Sequence, residues 1–114
     1  MPVVILFIKD FEFSSKISSI CSDLDYRIEF TDEKTDPNDF SDNISIAIVD
    51  MDEKVFSSVG LISALKNRGL KIIGTVDKIN NKERSKLQSA GIDIIVTRKS
   101  LIRNIPNLFS QLLV

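Results

Sequence analysis

Short apolar runs alternate along this chain with stretches in which apolar residues recur every three or four positions. Four of the runs are nearly continuous and rich in valine and isoleucine, and they cover residues 3–8, 44–49, 72–76 and 92–96, where Ser45, Thr75 and Asp93 are the only polar side chains. Continuous runs of this length are typical of strands buried on both faces, as in a parallel sheet. A fifth run, residues 26–30, alternates apolar and charged side chains, which predicts a half-exposed strand at the edge of the sheet.

The first two stretches between the runs have the spacing of amphipathic helices. In the first, apolar residues recur at intervals of four, three and four, namely Phe13, Ile17, Ile20 and Leu24. The second stretch spans residues 54–68, and Gly69 provides its C-terminal stop. Its apolar face contains Val55, Val59, Ile62 and Leu65.

Two further helices are predicted from capping residues as well as from spacing. The third covers residues 81–90, where Asn80 can accept the free amides of the first turn and Gly91 ends the helix. The fourth starts near Asn104, because Pro106 then falls in the first turn, where a missing N–H costs nothing.

The connection over residues 31–43 departs from this pattern, because it is short, acidic and contains a proline. A single turn over residues 37–41 fits there, whereas a long helix does not. The chain therefore repeats a strand–helix unit with one helix reduced, which predicts a three-layer α/β sandwich around a five-stranded parallel sheet. We expect a single domain over residues 1–114, since this length suits one core.

Composition excludes several kinds of chemistry. The chain has no histidine and a single cysteine, which removes histidine-based metal sites, Ser-His-Asp triads and internal disulfides. We expect Cys21 to be a small buried apolar residue on the first helix. No apolar run approaches the length of a membrane span, and no basic segment precedes the first run, so we expect a cytoplasmic protein without a membrane partner.

Charge is unevenly distributed, although the net charge is only −1. Residues 1–52 contain 12 acidic and 4 basic side chains, and residues 53–114 contain 4 acidic and 11 basic ones. One interpretation is a basic partner surface formed by Lys82, Arg84, Lys86 and Arg103. The alternative is an ordinary solvated helix surface. A nucleic-acid partner is not expected, because no aromatic residues are interleaved in the basic part.

Polar residues follow several of the predicted strands directly. The carboxyl ends of parallel strands share one edge of the sheet, so these side chains should converge in a single crevice. Two carboxylates, a hydroxyl and one or two cations should meet there. The residues at these strand ends are Lys9, Asp10, Asp50, Asp52, Thr75, Asp77, Thr97, Arg98 and Lys99. Such a set can serve phosphoryl chemistry, with a carboxylate as nucleophile and a hard cation beside it.

Four segments, residues 5–10, 46–50, 74–76 and 90–93, make the chain similar to the response-regulator receiver family over its whole length. The resemblance implies the strand order 2-1-3-4-5 of a flavodoxin-like fold and Asp50 as the phospho-acceptor. It further implies Asp10 and Asp50 as ligands of Mg²⁺, Thr75 as the switch hydroxyl and Ile95 at the second switch position. The family's site lysine falls on Arg98, with Lys99 one residue late, and the choice between them stays open.

Departures from the family pattern weaken the implied metal site. Lys9 stands where the family has the first of two acidic residues, and Ile95 stands where it has an aromatic ring. Loss of a carboxylate removes a hard ligand, so phosphorylation of Asp50 should be weak or absent. We therefore expect an atypical receiver domain without enzymatic activity, which acts by contact with a sensor kinase or a downstream effector, or as a homodimer.

Three alternatives remain at this point. One is an ordinary Mg²⁺-dependent phospho-accepting receiver. Another is a flavodoxin-like domain that binds a small ligand, although the loop after the first strand has no glycine to let a phosphate approach the backbone. The third is a purely structural domain of a longer assembly.

Overall fold

Five strands and four helices alternate in the part of the chain that the computed structural model describes, residues 2–32, 34, 36, 43–77 and 81–113. They are β1 (Val3–Phe7), α1 (Phe11–Asp23), β2 (Arg27–Phe30), β3 (Ile44–Asp50), α2 (Val59–Asn67), β4 (Lys71–Thr75), α3 (Asn81–Ala90), β5 (Ile94–Val96) and α4 (Arg98–Leu112). None of these helices is long and apolar enough to cross a lipid bilayer.

The strands form one parallel sheet in the order β2-β1-β3-β4-β5, which confirms the predicted α/β fold and strand order. The register pairs Asp50, at the end of β3, with Thr75, at the end of β4. Since all strands run in the same direction, their carboxyl ends and the loops that follow them lie at the same edge of the sheet.

The helices cover the sheet from both sides and create two apolar clusters. One contains Leu65 of α2 and Leu87 of α3, and the other contains Ile17 of α1 and Phe109 of α4. β1 is fully buried, because its side chains alternate between these two clusters. Cys21 is buried in the second cluster, which confirms its predicted role as a small apolar residue.

Both outer strands are less buried than the inner ones. β2 is half-exposed, as its alternation predicted, and Phe30 at its end is 63% exposed. β5 starts at Ile94 and is only half-buried, so the prediction of a fully buried strand over residues 92–96 was wrong. The reason is its place at the edge of the sheet, where it has a neighbouring strand on one side only.

The predicted start of the second helix was also wrong. Residues 51–56 form turns, and α2 begins at Val59 after Ser58, whose hydroxyl accepts a 3.0 Å hydrogen bond from the N–H of Leu61. Val55 and Val59 are exposed rather than part of the apolar face. The apolar spacing of residues 55 and 59 is compatible with a helix, but the capping hydroxyl of Ser58 fixes the start of the helix after it.

The fourth helix begins at Arg98 instead of near Asn104. Thr97 caps it, since its hydroxyl accepts a 3.1 Å hydrogen bond from the N–H of Ser100. The helix is kinked at Asn104, where φ is −124°, so Pro106 falls in the first turn after the kink. The proline therefore marked the second half of a longer helix.

The third helix has the predicted bounds and ends at Gly91, whose φ of +128° favours glycine. Its predicted cap, Asn80, lies outside the described residues. The same holds for the single turn predicted over residues 37–41.

Candidate functional site

Four of the predicted site residues converge at the carboxyl edge of the sheet. Asp10 follows β1, Asp50 ends β3, Thr75 ends β4, and Arg98 follows β5 as the first residue of α4. Arg98 and Asp10 are 88 residues apart in sequence, yet their side chains form a hydrogen bond. The crevice thus depends on the topology of the sheet rather than on a local motif.

The Arg98 guanidinium bridges the two carboxylates. Its Nη1 donates a hydrogen bond to Oδ2 of Asp10 at 3.2 Å, and its Nη2 donates to Oδ2 of Asp50. The cation also lies over the ring of Phe13, 4.9 Å from its centroid, in a cation–π contact. The Nε of Arg98 is buried and has no hydrogen-bond partner among the described residues. The carboxylates therefore hold the guanidinium through its two outer nitrogens.

Asp50 is the most buried charged residue in the described part of the chain, with 0% of its surface exposed. Its second oxygen, Oδ1, accepts a 3.3 Å hydrogen bond from Oγ1 of Thr75. Burial raises the pKa of the Asp50 carboxyl, because the charged form loses its hydration, and the hydrogen bond and charge of Arg98 oppose this shift. Both oxygens of Asp50 are thus engaged in the folded protein.

Asp10 has two structural roles at once. Its Oδ1 caps α1 by accepting a 3.1 Å hydrogen bond from the N–H of Phe13, while Oδ2 faces Arg98. The Phe13 N–H and the neighbouring guanidinium lower the pKa of this carboxyl. For Arg98, burial favours the neutral form, but the bonds and charges of Asp50 and Asp10 outweigh it and raise the pKa. The two carboxyl groups and the guanidinium therefore form one hydrogen-bonded cluster around Arg98.

The other predicted site residues lie outside this cluster. Lys9 is exposed and lines a different cavity of about 380 Å³ together with Thr31 and Asp32. Lys99 is exposed at the rim of a groove between α1 and α4, and Ile95 is half-buried beside Gly74 in the sheet register. Of the three candidate cations, only Arg98 forms an ion pair with Asp10 or Asp50 in the described part of the chain.

The side chains at this edge do not fit a magnesium ion. No group of three or more acidic or cysteine side chains with metal-binding geometry occurs within residues 2–32, 34, 36, 43–77 and 81–113. The carboxylates of Asp10 and Asp50 both direct an oxygen at the Arg98 guanidinium, and Asp52 accepts a hydrogen bond from the N–H of Asp77. Mg²⁺ requires several hard oxygens in octahedral geometry, whereas here a fixed organic cation lies between the carboxylates.

Sequence reasoning missed two features that shape this region. Phe13 was predicted only as an apolar helix position, although its place three residues after Asp10 puts its N–H on the Asp10 carboxylate and its ring under Arg98. The loops after β3 and β4 are joined by Asp52, which accepts a 2.8 Å hydrogen bond from the N–H of Asp77. The first feature is readable from the cap spacing, whereas the second depends on strand order.

The residues predicted to form a basic partner surface are all exposed. Lys82, Arg84 and Lys86 lie on α3, which buries only Leu87, whereas Arg103 lies on α4, on the other face of the sheet. These side chains therefore flank the β5 edge from both sides.

Solved structures share this fold, whereas no protein-family model and no curated protein matches the sequence. A response regulator from Thermotoga maritima is 12% identical over 96% of this chain and 98% of its own, with a TM-score of 0.73. A CheY-like response regulator from Mesorhizobium loti is 16% identical over 90% of this chain and 93% of its own, with a TM-score of 0.66. A pilus assembly-related protein from Burkholderia pseudomallei is 14% identical over 97% and 90%, with a TM-score of 0.69. The chain has the receiver fold.

Proposed function

We propose that this chain is an atypical receiver domain of cytoplasmic signal transduction, which acts by protein–protein contact and is phosphorylated weakly or not at all at Asp50. The observation that carries the proposal is the Arg98 guanidinium, which bridges the two carboxylates of the crevice. The receiver fold, shared with response regulators over nearly the whole chain, supports the class of protein.

Phosphorylation of an aspartate requires a carboxylate oxygen that can reach the phosphorus atom, and a cation that neutralises the charge of the transferred group. In this crevice one oxygen of Asp50 is bound by Arg98, and the other accepts from Thr75. The guanidinium supplies positive charge, but it offers no coordination positions for phosphate oxygens and carboxylates together. The folded state thus satisfies Asp50 internally and leaves it a poor nucleophile.

Contact with other proteins then carries the signal. The exposed side chains of α3 and of the first half of α4 offer a basic surface to a sensor kinase or a downstream effector. In this role the domain has no catalytic activity of its own. Residues 1–114 would act as a single domain.

The test is phosphorylation by a small phosphodonor. The purified protein is incubated with Mg²⁺ and acetyl phosphate, and its intact mass is measured beside that of Asp50→Asn. We expect no phosphoryl adduct on the unaltered chain. A stoichiometric adduct that disappears in Asp50→Asn would overturn the proposal in favour of an ordinary Mg²⁺-dependent phospho-switch.

A gain-of-function variant tests the stated cause. Lys9→Asp combined with Arg98→Lys returns the family's acidic pair and site lysine to positions 9, 10 and 98. We expect this variant to bind Mg²⁺ in calorimetry and to form the phosphoryl adduct. The matched control, Lys9→Asp with Lys99→Ala, keeps Arg98 and should do neither. Equal behaviour of the two variants would show that Arg98 is not what blocks the site.

A further inference from the structure

Opposite edges of the sheet carry opposite charge. Residues 23–32 comprise the last residue of α1, β2 and the residues on either side of β2. They contain four acidic side chains, Asp23, Asp25, Glu29 and Asp32, and one basic side chain, Arg27. We call this region the acidic edge. At the other end of the sheet, α3 and the first half of α4 carry Lys82, Arg84, Lys86, Lys99 and Arg103 beside β5, with Glu83 as the single acid among them. We call this region the basic edge.

The two edges face away from each other. β2 and β5 are the outer strands of the five-stranded order β2-β1-β3-β4-β5, so about 19 Å of sheet separates them at the usual strand spacing. Charges on opposite edges of one molecule are too far apart to neutralise each other at moderate salt, where the screening length is about 10 Å. Each edge therefore presents its field to the surroundings.

Part of the charge on each edge is also unused inside the fold. Lys82, Arg84 and Lys86 are exposed and form no ion pair with any residue that the structure describes. Asp23 and Asp25 are likewise exposed and form no ion pair within the same ranges. At the acidic edge the largely exposed ring of Phe30 adds apolar surface, and at the basic edge β5 is only half-buried.

We propose that copies of this chain associate head to tail, with the acidic edge of one copy against the basic edge of the next. A second copy fits because each molecule carries both complementary surfaces. The two surfaces of the contact are different, so the association is heterologous and continues into a ring or an open chain of copies instead of stopping at a dimer. A symmetric dimer through α3 would instead place like charges opposite each other.

Salt and concentration should control this association. Exposed ion pairs contribute little individually and are screened by salt. The self-association is therefore weak and is confined to low ionic strength.

The test uses matched charge reversals on the two edges. The first variant is Lys82→Glu with Arg84→Glu and Lys86→Glu, and the second is Asp23→Lys with Asp32→Lys. All five positions lie at the surface, and Asp25 is left unaltered because its φ of +63° disfavours lysine. Circular dichroism checks that each variant folds, and sedimentation velocity measures the assembly state at about 20 mM and about 500 mM salt.

Head-to-tail association predicts one pattern of results. The unaltered chain sediments faster with rising concentration at low salt and as a monomer at high salt, and each variant alone is a monomer. An equimolar mixture of the two variants, one with two acidic edges and the other with two basic edges, forms a complex again. The proposal is overturned by a monomeric unaltered chain at low salt, by association that persists at high salt, or by a mixture that stays monomeric.

Discussion

Arg98 holds two carboxylates of unequal burial with one side chain. The carboxylate of Asp50 is fully enclosed, whereas that of Asp10 is partly exposed and also serves as a helix cap. A buried ion pair gains little over an apolar packing of the same shape, but removing one partner leaves an uncompensated charge. The crevice is therefore sensitive to loss of Arg98 and much less so to loss of a neighbouring surface cation.

The first prediction concerns the substitution Arg98→Ala. We expect it to lower the free energy of unfolding at pH 7 by about 2–4 kcal/mol, because Asp50 is left buried without a counter-charge. Lys99→Ala, the adjacent exposed cation, should cost less than about 0.5 kcal/mol. Urea denaturation of both variants measures the difference. Equal effects would show that Arg98 does not compensate a buried charge.

The pH dependence of the same substitution is a second prediction. Without Arg98 the pKa of Asp50 rises further, so the folded state holds this proton more tightly than the unfolded chain does. Stability relative to the unaltered chain should then fall as the pH rises from about 4, and the deficit should shrink on acidification. Adding Asp50→Asn to Arg98→Ala removes the buried charge and should recover most of the loss at pH 7. A deficit independent of pH would contradict the assignment.

The Cys21 thiol offers a third prediction. Burial raises its pKa to about 12 and removes it from solvent. At pH 8 the folded protein should therefore react with a disulfide reagent far more slowly than the urea-unfolded chain, since the thiolate is the reactive species. Absorbance of the released thiolate measures both rates. Similar rates would mean that α1 opens readily from the sheet.

Gly91 and Gly60 differ in whether the surrounding structure leaves room for a Cβ atom. Gly91 ends α3 at φ +128°, and a Cβ there would lie 2.9 Å from Cγ of Lys66. Lys66 in turn pairs with Asp93, which accepts from the N–H of Ile72, so this contact ties α2 to the entries of β4 and β5. Gly60, near the start of α2, has open space where a Cβ would extend, with no atom within 4 Å of that point, and its φ is not unusual.

The fourth prediction compares these two glycines. Gly91→Ala should destabilise the protein by about 1–3 kcal/mol through backbone strain and displacement of Lys66. Gly60→Ala should stabilise it by up to about 1 kcal/mol, because alanine favours a helix. Thermal denaturation of the pair reports the sign of each change. A stabilising Gly91→Ala would contradict the tight approach at this turn.

Strand–helix order could be predicted from the sequence, because the buried strands β1, β3 and β4 are apolar runs rich in valine and isoleucine and Gly91 marks a helix end. The start of α2 was misplaced because Ser58, which caps it, does not interrupt the apolar spacing. The start of α4 was misplaced because Pro106 lies in the first turn after the kink at Asn104 and not in the first turn of the helix. Within the crevice, the positions of Asp10 and Asp50 could be predicted because each residue lies at or shortly after the end of a strand. The sequence could not decide whether Arg98 or Lys99 is the cation of the crevice. The residue at which α4 begins determines which of the two side chains points inward, and only the structure shows that residue.

The strand order places the acidic half and the basic half of the sequence on opposite sides of the sheet. The acidic first half of the chain provides β2, β1 and β3, and the basic second half provides β4 and β5. Because this strand order places the first half of the chain on one side of the sheet and the second half on the other, the uneven distribution of charge along the sequence gives the folded molecule an electric dipole. The net charge of −1 conceals this polarity.

The fifth prediction follows from that polarity. At pH 7 and low salt the protein should be retained by a cation exchanger despite its net negative charge, because the basic edge binds as a patch. Lys82→Glu with Lys86→Glu should abolish the retention, whereas Lys9→Glu with Lys16→Glu, an equal change of charge elsewhere, should preserve it. Elution volumes in a salt gradient distinguish these outcomes. Loss of retention in both variants would show that net charge alone governs binding.

The first residue of α4 is also the cation of the crevice. A group that displaces the guanidinium from Asp50 must therefore either swing a side chain whose Nε is enclosed or lift the opening turn of the helix. Thr97, which caps that turn, directly follows β5, so such a movement would begin at the outer strand. Binding of a group in the crevice and the position of α4 are therefore coupled directly through a single residue, Arg98.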